Sequence, residues 1–122
     1  MMTELGRRAV ECKHWRWMAG MMATYPMDLP SMPGERWGER LRVDGLYDVR
    51  DDDPLPDLTD PATVGCLLAL VREAWGDPYV YAMRLNVRRE IWVVHVPSDR
   101  HNIHGEGETE VEALVAALEA AP

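Results

Sequence analysis

The apolar positions of this chain change period several times, and each change marks an element. In "TELGRRAVEC", Leu5, Ala9 and Cys12 recur at helical spacing behind a capping Thr3, which predicts a short helix over about 4–13. In "HWRWM" the spacing falls to two: Trp15 and Trp17 alternate with His14, Arg16 and Met18, a strand pattern followed by a bend at Ala19-Gly20. The stretch "TYPMDLPSMPGERWGER" reads as an apolar loop, since Pro26, Pro30, Pro33, Gly34 and Gly38 interrupt any ladder. "RLRVDGLYDV" predicts a strand with a small hairpin about Asp44-Gly45. "DVRDDDPLPDLTD" is an acidic loop.

The clearest element is "DPATVGCLLALVREAWG". Asp60 stands at the N-cap, Pro61 at the first helical position and Gly76 just past the end, giving a helix over 61–75. Val64, Leu67, Leu68, Val71 and Trp75 form one stripe, and Ala69, Leu70 and Ala74 widen it. Apolar character over most of a circumference predicts a central helix, the most buried element of the fold. "YVYAMRLNVRREIWVVHVPS" predicts a hairpin turning at "NVRR", and "HNIH" falls in a glycine-bounded loop. In "ETEVEALVAALEAAP", Thr109 and Glu112 have the spacing of a capping box, with Val111, Leu114, Val115 and Leu118 as the buried stripe. The order α–β–(β)–α–β–β–α predicts an α+β fold, an antiparallel sheet of three or four strands with helices packed on one face.

At 122 residues this is the length of one domain, long enough to bury a core without disulfides or metal. No apolar run reaches membrane-spanning length, and the N-terminal residues lack the apolar core of a signal peptide. Two distant cysteines then point to reduced thiols in a cytoplasm. Charge sharpens the picture. The net charge is −8, divided as +1 over residues 1–50 and −9 over residues 51–122. Such a field disfavours direct nucleic-acid binding and anionic membranes, and favours a partner protein with a basic surface.

Candidate chemistry is concentrated in "CKHWRWM". Cys12 and His14 would make a nucleophile and base if both sat on one strand face. Placed instead at the end of a helix, Cys12 meets a dipole that opposes a thiolate, and the tryptophans read as core. Cys12, His14, Cys66, His101 and His104 are candidate zinc ligands, and the i, i+3 spacing of His101 and His104 would suit ligands on a helix, but "HNIH" lies in a glycine-bounded loop and no CxxC or HExxH accompanies it. "DVRDDDPLPD" lacks the ligand order of a calcium loop, and there is no phosphate-binding glycine motif. Neither a metal nor a cofactor is expected. The residues best placed to meet a partner are Asp51, Asp52 and Asp53 in the acidic loop, with Met27, Leu29 and Met32 in the adaptable Pro/Met loop.

"GRRAVECKHWRWM", "LPDLTDPATVGCLLALVREAWG" and "TEVEALVAALEAAP" together resemble a family of uncharacterised small proteins encoded by phages and prophages. The resemblance covers about half the chain. It departs at Ala19, where that group has a proline. It implies a viral or prophage origin and the cytoplasm of a bacterial host, and it assigns no site. The expectation is a non-enzymatic accessory protein that binds a host protein, with inhibition of a host defence complex, as anti-CRISPR proteins do, as its sharpest form. A cysteine-dependent enzyme using Cys12 and His14, and a self-assembling structural domain, are the alternatives the sequence leaves open.

Overall fold

The computed structural model describes residues 2–26, 37–44, 54–86, 90–99 and 102–122. Their order is α1 (Met2–Glu11), β1 (Met22–Pro26), β2 (Trp37–Arg42), β3 (Leu55–Pro56), α2 (Pro61–Trp75), β4 (Tyr81–Asn86), β5 (Glu90–His95), β6 (Ile103–Gly107) and α3 (Glu110–Ala120). The fold is α+β and every strand pair is antiparallel. The strands are divided between two three-stranded sheets, β2-β1-β3 and β4-β5-β6.

The division arises because β3 and β6 occupy stretches whose prolines and glycines read as loop. β3 is two residues long, Leu55 and Pro56 with Pro54 before them, and pairs with Ala23 and Thr24 before α2 leads to the other sheet. β6 holds Gly105 and Gly107, which are there for close approach rather than for a turn. A Cβ on Gly105 would fall on the Ala113 carbonyl oxygen and stand 2.8 Å from the Ala117 nitrogen. A Cβ on Gly107 would meet the Glu112 side chain and stand 2.8 Å from the Ala113 nitrogen. Bare glycines on the strand and alanines on the helix let α3 lie almost against the β6 backbone.

Two further stretches differ from the pattern reading. Residues 14–18 are not a strand. The chain leaves α1 through turns closed by Cys12 N–H to Ala9 O and Trp15 N–H to Cys12 O, and Trp15 and Trp17 meet edge to face at 5.3 Å. Pairing starts later, after Gly20 at φ +99°, and β1 then runs through Tyr25 to Pro26. Proline is tolerated there because it lies at the strand end, where the register to β2 shifts. β2 pairs with β1 rather than across Asp44-Gly45, and the predicted turn from Gly45 onward lies outside the described residues.

α2 forms as predicted. The Asp60 carboxylate accepts from Thr63 N–H, and Gly76 closes the helix in the left-handed region at φ +62°. α3 also starts at its predicted cap, with Thr109 accepting from Glu112 N–H; the returning bond runs from Glu108 N–H to the Glu112 carboxylate.

The centre, however, is α3 and not α2. α3 packs against α1, α2 and all three strands of the second sheet. Ala113, Leu114, Val115, Ala117 and Leu118 are fully buried, whereas Val64 and Leu68 of α2 are only half-buried. The small alanines explain the exchange: they carry little hydrophobic signal, yet they let three layers approach one helix. A single buried cluster joins Leu5, Ala9, Met21 and Leu58 to α2, α3, Val94 and Val96.

Asp77 locks two connections together. It is 3% exposed, and its carboxylate accepts from Tyr79 N–H at 2.8 Å and Ser98 N–H at 2.9 Å. Those amides, Tyr79's first, hold the carboxyl below its ordinary range. A lowered folded-state pKa contributes stability that is present above the unfolded value and lost as pH falls through the folded one. Thermal stability should therefore drop on acidification below about pH 4. Asp77→Asn, which cannot accept from both amides through charged oxygens, should lower Tm at pH 7 and flatten that acid dependence. An unchanged melting profile across pH 3–7 would remove Asp77 from this role.

Candidate functional site

The residues of "CKHWRWM" converge on the C-terminal turn of α3. Cys12 Sγ lies 3.4 Å from the Leu118 carbonyl and donates to it. His14 Nε2 lies 3.3 Å from the Ala121 carbonyl, donating when that nitrogen carries the proton. From α2, Trp75 Nε1–H donates to the Ala117 carbonyl at 2.9 Å. Arg8 closes the same end with two bonds to Glu119, at 3.2 and 2.5 Å. The last carbonyls of a helix have no partner within it, and α3 has no basic residue in its last turn. A thiol, an indole and an imidazole supply the missing donors. Cys12 and His14 are thus each bonded to the α3 backbone and not to each other.

The other thiol, Cys66, is pushed above its ordinary pKa by burial and lies 3.8 Å from the Ala19 carbonyl. Among the described residues no group of three His, Cys, Asp or Glu side chains could hold a metal ion. His104 sits on β6 rather than in a loop. The register shift between Val94 and His95 turns it toward α2, where its ring lies 4.2 Å from Trp75 and its Nε2 2.9 Å from the Asp99 carboxylate. His101 lies outside the described residues, as do Asp51, Asp52, Asp53, Met27, Leu29 and Met32.

Electrostatically, the described arginines are largely engaged. Arg8 pairs with Glu119, Arg16 with Glu73, Arg40 with Asp57, Arg42 with Asp60 and Arg84 with Glu90. Arg72 donates to the Val80 carbonyl. The Arg42–Asp60 pair also ties the first sheet to the α2 cap: Asp60 accepts from Thr63 Oγ1, which in turn accepts from Met22 N–H. Arg42, then Thr63, holds the Asp60 carboxyl below its ordinary range. By contrast Glu106 and Glu108 are exposed and have no ion-pair partner among the described residues.

The sequence reading missed one surface. Tyr79 (76% exposed), Tyr81 (44%) and Ile103 (39%) lie at one end of the second sheet, on strands β4 and β6 and the turn before β4. Tyr81 stacks on His95 at 4.9 Å, and His95 Nε2 is buried without a hydrogen-bond partner. The signal was available in "IWVVHV", which is apolar at both parities and so asks for cover on both sides.

No described helix is long and apolar enough to cross a membrane. Compared with protein-family models, curated proteins and solved structures, the chain matches none.

Proposed function

We propose that this chain is a non-enzymatic accessory protein of a phage or prophage that binds a host protein carrying a basic surface. The observation that carries the reading is the charge arrangement. Described arginines are largely spent on internal ion pairs, while the chain keeps a net −8 and Glu106 and Glu108 are exposed with no ion-pair partner among the described residues. Such a surface steers a cationic partner and repels phosphate backbones. The use of Cys12, His14 and Trp75 to cap α3 supports the non-enzymatic side, because it gives each a structural task. Inhibition of a bacterial defence complex is the sharpest form of this function, and the bacterial cytoplasm is its setting.

The test is capture from bacterial lysate at low and high salt. A partner retained at low salt, released at high salt, and bound more slowly by the Asp51/Asp52/Asp53→Asn protein supports the reading. Retention that ignores both salt and the substitutions would reject it. In the same assay Cys12→Ser should bind as the parent does. If it folds but loses function, and iodoacetamide labels Cys12 rapidly at neutral pH, the thiol is the working group instead.

A further inference from the structure

We draw no further inference here: the strongest candidate, the side-chain cluster of His104, Trp75 and Asp99 where β6 meets the end of α2, is accounted for by the contacts already described, the ring on Trp75 and its Nε2 beside Asp99, and no second observation among the described residues points to a ligand there.

Discussion

Gly105→Ala is expected to cost about 3 kcal/mol or more, at or beyond the upper end of ordinary overpacking. A single methyl group is the smallest side chain that can be added, and the cost comes from what it meets. Its position clashes with the Ala113 carbonyl oxygen and lies within 3 Å of the Ala117 nitrogen and Cβ, so the obstacle is helix backbone rather than a rotatable side chain. Relief requires α3 to lift from β6, and α3 is also the helix that holds α1, α2 and the remaining strands of that sheet. Against a total stability of about 5–15 kcal/mol, that loss brings the domain near its unfolding threshold. Urea denaturation measures it directly. A midpoint within experimental scatter of the parent would mean that α3 does not rest on β6 as closely as described. Gly65→Ala is the natural control, since a Cβ there meets nothing within 4 Å and the position is helical.

Leu114→Ala should cost about 2–5 kcal/mol, the range for truncating a large buried side chain. Leu114 is fully buried at the middle of α3. Leu68→Ala should cost only about 1 kcal/mol, because Leu68 of α2 is half-buried and a smaller apolar area returns to water. The ordering is the sensitive part of the measurement. If Leu68→Ala proves the more damaging of the two, α2 and not α3 is the centre of the fold.

These expectations show where local pattern carries through and where it stops. The caps of α2 were legible because Asp60, Pro61 and Gly76 act within one turn of themselves. The start of α3 was legible for the same reason, as was the β4–β5 hairpin, whose two strands are close in sequence. Features set by distant contacts were not. β3 exists because β1 reaches it across intervening chain, and its prolines sit where no ladder donor is needed. Gly105 and Gly107 read as turn residues until a helix is laid on them. "CKHWRWM" looked chemical because its donors are consumed by carbonyls more than a hundred positions away. The partner-facing residues nominated from sequence, Asp51 to Asp53 and Met27, Leu29 and Met32, lie outside the described residues. The apolar outer face of β4-β5-β6 emerges from strand register, which composition does not encode.

The capping of α3 by α1 also governs when the fold can close. Cys12 and Leu118 are separated by 106 positions, and Arg8 and Glu119 by 111. During synthesis a chain emerges from its N-terminus at about 5–20 residues per second. Helix α1 and its tryptophans therefore wait several seconds for the surface they rest on. Until residues 110–121 are free of the ribosome, the second sheet lacks the helix that covers it and α1 lacks its anchor. The molecule is built around an element that arrives late, so α1 and the second sheet gain their shared packing partner only at the end of synthesis. Sequence-distant contacts of this kind slow folding. Until α3 arrives, the sheet face it covers, built on Ala82, Val94 and Gly105, is open to chaperones and neighbouring nascent chains.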